Sequence, residues 1–471
     1  MPALPSVSYS ITVRLEVPAR NATSLLTAAV EEAGGHVTAL DVSASGHDRV
    51  RIDVTCAARD TTHAEELVET MRKVPGVVIG RVSDRTFLMH LGGKIAMMSK
   101  HPIRNRDDLS LIYTPGVARV CLAIAANPED ARRLTIKRNS VAVVTDGSAV
   151  LGLGNIGPQA ALPVMEGKAA LFKRFGEIDA WPLCLDTQNV DEIVAAVKAI
   201  APGFAGINLE DISAPRCFEV EARLREVLDI PVFHDDQHGT AIVVLAALLN
   251  ALRLVRKQLS RVRIVMSGAG AAGTAILRLL KAAGAVDVVA CDIDGIVYAG
   301  RPNLNDSLRW VAANTNASQM TGTLKDAIIG ADVFIGVSAP NLLDGHDIAS
   351  MAPDSVVFAL ANPDPEVDPT IADETAAVVA TGRSDYPNQI NNVLAFPGVF
   401  RGLLDAQSRQ VTQRLLLAAA HAIASSVHAD ELNASYIVPS VFHPDVHTRV
   451  ASAVAAAVRE ASRQQRTATH G

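Results

Sequence analysis

The sequence predicts an α/β protein built on parallel sheets, preceded by a small α+β unit. Three observations predict it. Apolar residues make up 49% of 471 but aromatic residues only 4%, so Ala, Val, Leu and Ile carry the apolar share. That mix suits helices packed on parallel sheets. From residue 114 onward, short apolar runs alternate with helical stretches, the pattern of α/β layers. Finally, the strand at residues 261–266 runs straight into a glycine-rich turn that opens a helix.

The elements follow in order. Residues 7–17 alternate as a strand, and residues 22–33 read as a helix stopped by Gly34-Gly35. Two strands at 36–44 and 48–58, a helix over 62–73 and a strand after Pro75-Gly76 complete a βαββαβ order. That is enough for a separate α+β domain over 1–85. Residues 84–105 read as a connector with Gly92-Gly93. Strands are expected in SVAVVTDGS (140–148), IDAWPLCLD (178–186), FAGINLEDI (204–212) and PVFHDD (231–236), within a domain over 86–257. A long apolar helix, Thr240 to Arg256, leads into a third domain over 258–471. Its strands are RVRIVM (261–266), VDVVACD (286–292), DVFIGVS (332–338) and SVVFALAN (355–362). Two Ala-rich helices at 406–427 and 446–463 close the chain.

Bulk properties exclude several classes. The net charge is -7 with no long run of one sign, which argues against a nucleic-acid partner. Cys56, Cys121, Cys184, Cys217 and Cys291 show no CxxC spacing, so they are expected to be buried thiols in a reducing compartment. The N-terminus shows no basic segment followed by an apolar one, so no signal peptide is expected. The longest strictly apolar run, Ala241 to Leu249, is short of the ~20 residues that cross a bilayer. No membrane partner and a cytoplasmic location are therefore expected.

Gly268-Ala269-Gly270-Ala271-Ala272-Gly273 carries the GxGxxG spacing in the right context, and Asp292 ends the next strand 19 residues after Gly273. Gly268 permits the tight turn, Gly270 admits a pyrophosphate, and Gly273 lets helix and strand pack closely. This predicts a Rossmann-type site for NAD or NADP. Asp292 is placed to accept the adenosine ribose hydroxyls, which favours NAD because a 2′-phosphate would be repelled. Arg301 would offset that charge if it lay close, but reads more simply as a surface residue.

Glu210-Asp211 and Asp235-Asp236 end two neighbouring expected strands. Either pair alone reads as solvated loop acids. Together, at the strand ends where open α/β sheets bind ligands, they suggest a hard oxygen site for Mg²⁺ or Mn²⁺. His234 and His238 flank the second pair and would permit zinc, although both also fit a role in orienting the loop or plain surface exposure. Tyr113 precedes a Pro-Gly turn, and Lys168 is expected on the first turn of an apolar helix. Their plain readings are a half-buried packing residue and a snorkelling lysine. A lysine buried near a divalent cation would instead have its pKa lowered, as a general base needs.

YTPGVA (113–118), VTDGSAVLGLGNIG (144–157), PVMEGKA (163–169), NLEDI (208–212), FHDDQHGTA (233–241) and NNVLAFPG (391–398) together resemble the prokaryotic, shorter-subunit malic enzymes. The resemblance spans about residues 94–440. It implies oxidation and decarboxylation of malate to pyruvate with NAD or NADP and a divalent metal. It makes Lys168 the base for the C2 hydroxyl and Tyr113 the acid that protonates C3. It makes Glu210, Asp211 and Asp236 the metal ligands, with Asp235 orienting the base. Asn362 and Asn392 would contact malate and the nicotinamide side. The larger-subunit branch has an arginine after the TDG segment that grips a substrate carboxylate; here Gly147-Ser148-Ala149 has none. That leaves the carboxylate clamp unassigned. A malolactic relative releasing lactate, or a silent effector-binding relative, are the competing readings. The βαββαβ order of residues 1–85 resembles an ACT domain, which binds amino acids or other small effectors at subunit interfaces. Its first loop, PARNATSL (18–25), lacks the glycine common in effector-binding members, so a purely structural or dimerising role stands beside effector binding. A homodimer or higher homo-oligomer is expected.

Overall fold

The computed structural model describes residues 5–18 and 22–469, which form two compact units divided at Ala96. The first unit holds strands β1 (Ser6–Pro18), β2 (His36–Ser45), β3 (Arg49–Ala58) and β4 (Val78–Asp84), and helices α1 (Ala22–Glu32) and α2 (Thr61–Arg72). The antiparallel sheet has the order β2-β3-β1-β4. Alternation along β1 sends Ile11, Val13, Leu15 and Val17 inward against Leu26, Val30, Leu67 and Met71, the period-2 signature of a half-buried strand. The other face of β1 is polar, with Arg14 paired to Asp53. Asp60 caps α2 by accepting from the His63 amide. The segment expected to be a plain connector contains a short helix, Arg85–His90, capped by Asp84. Of the effector loop 18–25, residues 19–21 lie outside the described residues.

The second unit contains two sheets. In the first, β5 (Ser140–Thr145), β6 (Asp179–Cys184), β7 (Gly206–Leu209) and β8 (Val232–His234) run parallel in the order β6-β5-β7-β8. Helices α3 (Pro158–Gly176), α4 (Val190–Ile200) and α5 (Arg216–Val227) connect them, and α6 (Asp235–Leu254) leaves β8. In the second sheet, β9 (Arg263–Ser267), β10 (Asp287–Asp292), β11 (Gly295–Ile296), β12 (Val333–Gly336), β13 (Val356–Ala359) and β14 (Val378–Thr381) adopt the order β11-β10-β9-β12-β13-β14. All pairs are parallel except β10 with β11. The order reverses between β9 and β12, the switch point at which such sheets bind ligands. Helix α7 (Ala271–Ala282) leaves the glycine turn, and α8 (Phe396–Asp405), α9 (Gln413–Ala424) and α10 (Val446–Thr469) close the chain. The helix expected over 406–427 is thus shorter, and α8 precedes it.

One apolar core joins elements of both sheets, with α6 at its centre: Ala241 to Leu248 are all buried. Phe172 packs edge-on against Phe396 and Phe400 at 4.7 and 5.2 Å. Truncating one such ring to Ala would cost about 3–5 kcal/mol. By length and composition α6 passes for a membrane span, but most of it is buried here. The stretch Arg106–Ala126 passes the same test and has no buried residue, although the chain turns within it at the cis Thr114-Pro115 bond. All five cysteines are free. The expectation that all would be buried fails at Cys121, which is exposed, and at the half-buried Cys184.

Candidate active site

The site grows from the carboxyl ends of β7 and β8. Glu210 and Asp211 follow β7 directly, and Asp211 takes a left-handed backbone (φ 54°) that turns the chain across the sheet edge. Strain of that kind in a non-glycine residue persists only where the surroundings hold it. Asp235 and Asp236 do not end β8, as the sequence suggested. They form the first turn of α6, where the helix dipole favours negative charge. The Asp211 amide donates to Asp236 Oδ2 at 2.8 Å, and Asn208 Nδ2 donates to Glu210 Oε2 at 2.9 Å. Carboxylate oxygens of Glu210, Asp211 and Asp236 come within 4.8 Å of one another.

Lys168 is brought to these acids by α3. The buried positions of that helix are Ala161, Met165, Lys168, Ala169, Phe172 and Gly176, a stripe at helical spacing on which the lysine replaces an apolar residue. Lys168 lies well inside α3, not on its first turn, and it is buried rather than snorkelling. Its Nζ contacts Glu210 Oε1 at 2.7 Å and Asp235 Oδ2 at 2.5 Å, and it sits 4.2 Å from the Phe396 ring centre, a favourable cation–π placement. Burial lowers its pKa, but Asp235 and Glu210 outweigh burial and hold the ammonium above its usual range. The lowering expected beside a divalent cation therefore has two carboxylates to overcome, because both face the amine. Asn392 donates to Asp235 Oδ2, so its observed partner is the carboxylate beside the base.

Burial pushes all four acids up. Asp211 rises to about 9, with Asp236 and Glu210 adding repulsion. Glu210 and Asp235 rise to about 7, and Asp236 to about 6. Asp211 Oδ2 and Asp235 Oδ1 are buried with no hydrogen-bond partner. Converging hard oxygens, one of them orphaned, fit a small divalent cation. Of the flanking histidines, His234 borders the cluster, its Nδ1 3.7 Å from Asp236 Oδ2, whereas His238 faces away toward Glu221. His238 pairs with Glu221 at 2.8 Å, while His234 is fully buried with both ring nitrogens unpartnered, and burial pushes it down to about 4. Glu221, which sequence reasoning passed over, is held at about 2 against its burial by His238 and Arg225.

The glycine turn lies at the end of β9. A Cβ on Gly273 would meet Gly268 O at 1.9 Å, and one on Gly268 would meet Val337 O at 2.6 Å. A Cβ on Gly270 would meet no protein atom within 4 Å. Gly268 and Gly273 are thus fixed by packing, whereas Gly270, with Ala269, Ala271 and Ala272 beside it, borders open space at the start of α7. That cradle fits a pyrophosphate. Asn362 is exposed at the end of β13, and its carbonyl lies so close to Gly152 that a Cβ there would stand 2.6 Å away. The loop after β5 thereby reaches from Asn362 to Asp211, whose carbonyl accepts from the Ala149 amide at 3.0 Å.

Two further acids escaped sequence reasoning. Asp146 is buried in that loop, bound by Ser148 and by Arg216 at 3.1 Å. Their TDG segment was recognised but only searched for an arginine. Glu366, fully buried, accepts from the Ser338 and Ala361 amides at 2.7 and 3.1 Å and ties together the loops after β12 and β13. The turn-like ANPDPEV holds two acids, Asp364 and Glu366, and nothing in it marks Glu366 as the buried one.

Tyr113 is not brought to this cluster. It ends the helix Arg106–Ile112, is 68% exposed, and its hydroxyl has no hydrogen-bond partner among the described residues. The helices Arg106–Ile112, Val117–Ala126 and Asp130–Leu134 contain no buried residue. Met97, Met98, Leu111 and Leu122 are each at least 71% exposed.

Residues 92–225 match the family described as malic enzyme, N-terminal domain, and residues 237–462 match malic enzyme, NAD binding domain. The chain is 55% identical to the NAD-dependent malic enzyme of Geobacillus stearothermophilus over 96% of this chain and 95% of that protein. It is 54% identical to the bifunctional malic/malolactic enzyme of Bacillus subtilis over 78% of this chain and 90% of that one. Among solved structures, the NAD-dependent malic enzyme of Thermotoga maritima is 49% identical, covers 79% of this chain and 99% of its own, and superposes with a TM-score of 0.77.

Proposed function

Because the chain belongs to the malic-enzyme family, we propose that the buried Lys168–acid cluster is where it oxidises malate and decarboxylates the product to pyruvate. The observation that carries the assignment is Lys168 Nζ held between Glu210 and Asp235 beside three converging carboxylates. Glu210, Asp211 and Asp236 would hold Mg²⁺ or Mn²⁺, and the turn 268–273 would hold the dinucleotide. When bound, the cation supplies positive charge against oxygens that become negative, and the nicotinamide supplies a hydride acceptor. Lys168 takes the C2 hydroxyl proton. With the Glu210 charge engaged elsewhere, burial is opposed mainly by Asp235, so the amine moves toward the neutral form a base requires. Asp235 steadies the base and offers its proton an exit across the 2.5 Å contact. Asn392 fixes Asp235, and Asn362 lines the cofactor side. Asp292 favours NAD.

Tyr113 is the proton donor to C3 in this reading, and it acts from a second copy of the chain. The apolar arm around it has no fully buried residue within its own chain. Exposed apolar surface on that scale marks an interface, and a homodimer that covers the arm places Tyr113 against the partner. Residues 1–85 would form an ACT-like unit for a small effector or for dimer contact. Its support is the βαββαβ order and the sheet order β2-β3-β1-β4.

The test is a steady-state assay with malate, NAD⁺ or NADP⁺, and Mg²⁺ or Mn²⁺, repeated with a panel of amino acids. The expected result is pyruvate and reduced cofactor in equal amounts. Lactate without net cofactor reduction would replace this reading with the malolactic one, and absence of turnover would overturn it.

A further inference from the structure

Two loops leave the second sheet beside its switch point, one after β12 and one after β13, and a single buried side chain holds both. Glu366 Oε1 accepts from the Ser338 amide at 2.7 Å and the Ser338 hydroxyl at 3.3 Å. Its Oε2 accepts from the Ala361 amide at 3.1 Å. The Glu366 carbonyl accepts from the Leu342 and Leu343 amides at 2.8 and 3.0 Å. Gly336, the last residue of β12, makes room for the carboxylate, since a Cβ there would stand 2.3 Å from Glu366 Cδ. Glu366 is fully buried, whereas Ser338 to Leu342 and Asn362 to Asp364 are exposed. No cationic side chain compensates it among the described residues. Burying an acid against neutral donors alone costs folding energy, and what the acid secures here is the placement of two loops. The first loop lies against the glycine turn: Ser338 Oγ meets Ser267 Oγ at 2.7 Å, and the Val337 carbonyl is the group that a Cβ on Gly268 would strike. The second carries Asn362, whose carbonyl borders Gly152 in the loop after β5, and that loop donates from Ala149 to the Asp211 carbonyl.

We propose that Glu366 is a positioning residue for hydride transfer, which fixes the loop beside the dinucleotide turn to the loop beside the malate pocket. The proposal rests on the dinucleotide reading of residues 268–273 and the malate reading of the Lys168 cluster. The two reactants are held by different sheets: malate at the acids after β7 and β8, the dinucleotide at the turn after β9. Hydride transfer needs C2 of malate and the nicotinamide ring in near-attack contact, and a displacement of about 1 Å can cost 10²-fold in rate. One line of register between the sheets runs from the glycine turn through Ser338, Glu366 and Ala361 to Asn362 and the loop after β5. Glu366 touches neither reactant in this arrangement and acts through the loops alone. Only a carboxylate suits the place, because both of its oxygens accept. A glutamine would accept from one loop and turn its amino group against the N–H of the other.

The experiment uses the full chain. Calorimetry measures AMP and NAD⁺ binding, and steady-state rates are taken with Mn²⁺, NAD⁺ and either malate or malate deuterated at C2. In Glu366→Gln, kcat is expected to fall about tenfold or more. The deuterium effect on kcat is expected to rise, because a slowed hydride transfer then limits turnover. AMP affinity reports the glycine turn without the nicotinamide half, and is expected to stay within about threefold of wild type, less than one hydrogen bond is worth. Ser338→Ala adds no atom and keeps both amide bonds to Glu366. It tests the same tie if the glutamine variant does not fold, and should show the same pattern at smaller size. Unchanged kcat and an unchanged deuterium effect in the folded variants overturn the proposal. So does AMP affinity that falls in step with kcat, because Glu366 would then support the whole domain and not the register of two loops. If wild type binds neither NAD⁺ nor AMP, or oxidises no malate, the reading beneath the proposal fails, a result distinct from unchanged variants of an active enzyme.

Discussion

Asp211→Asn separates the two roles that the acid cluster forces on the protein. Oxygens of Glu210, Asp211 and Asp236 lie within 4.8 Å; at an effective dielectric of about 20, each ionised pair repels by roughly 3 kcal/mol or more. The bare protein avoids this by keeping protons, and Asp211, pushed up to about 9, keeps its proton longest. A raised acid pKa stabilises the fold fully below the unfolded value, near pH 4, and the contribution is lost as pH rises through the folded value. Between those limits unfolding releases the proton, so stability falls by about 1.4 kcal/mol per pH unit. Glu210, Asp235 and Asp236 finish near pH 7, which leaves Asp211 dominant from pH 7.5 to 9. Over that window metal-free wild type should lose about 2 kcal/mol, or roughly 2 °C in Tm. Asparagine imitates the protonated acid in shape and removes the slope. Thermal melts in chelator at intervals of half a pH unit measure it. Saturating Mn²⁺ should flatten the wild-type slope, and the variant should bind Mn²⁺ at least about 100-fold more weakly, beyond what loss of an outer partner costs. An unchanged slope in metal-free Asp211→Asn, or undiminished Mn²⁺ affinity, would refute the reasoning.

Other outcomes follow from the same geometry. Lys168→Ala should lower kcat by about 10²–10⁴-fold, the range of general base catalysis, while calorimetry finds NAD⁺ binding intact; full activity would remove the base assignment. In Gly239→Ala the added Cβ would stand 1.9 Å from Asp235 Oδ1, so Asp235 must move from Lys168, and kcat should fall about tenfold or more with NAD⁺ affinity unchanged. If Tyr113 acts across a dimer, mixing inactive Tyr113→Phe and Lys168→Ala subunits under exchange should restore roughly a quarter of wild-type activity, since half the dimers are mixed and each carries one intact site. No recovery from a mixture shown to contain hybrid dimers would place Tyr113 in its own chain's site.

The sequence made legible whatever depends on local periodicity or on a motif with its own mechanics. The βαββαβ order, the parallel strands and the glycine turn were all readable, because alternation and helical spacing report burial directly. The acid pairs were readable as strand-end residues, though Asp235 and Asp236 begin α6. The strand β8 is only three residues long, and its apolar run gives no sign of where extension stops. What could not be read was pairing across the chain. Nothing in the residues around Lys168 says that it will face Asp235, 67 positions away, or that two carboxylates will oppose the effect of its burial. Arg301 was misread for a similar reason: it pairs with Asp292 and is only 10% exposed, returned there by the two-residue strand β11, which carries no periodicity. Glu366 and Glu221 look like surface acids until the fold surrounds them.

The exposure of Tyr113 and the burial of Lys168 point to a division of labour in the fold. The cluster holds four carboxylates against one ammonium, a combination that costs folding energy unless each charge is compensated. Compensation is local and specific. Asp235 and Asp236 lie at the N-terminus of α6, the Asp211 amide serves Asp236, Asn208 serves Glu210, and Asn392 serves Asp235. Asp211 Oδ2 alone among the three proposed ligands is left buried and unserved. Among the proposed ligands, the fold thus supports every group except the one that a cation would satisfy, and Asp235 Oδ1 beside the base is the other unpartnered oxygen. Such a site gains more from a dication than a relaxed, solvated set of acids could, since binding removes repulsion already present in the protein. A proton donor needs no such burial before substrate arrives, and Tyr113 on its exposed arm can be supplied by assembly. If the proposed role of Tyr113 holds, the binding half of the chemistry is built into one chain, and the protonation half waits on a second.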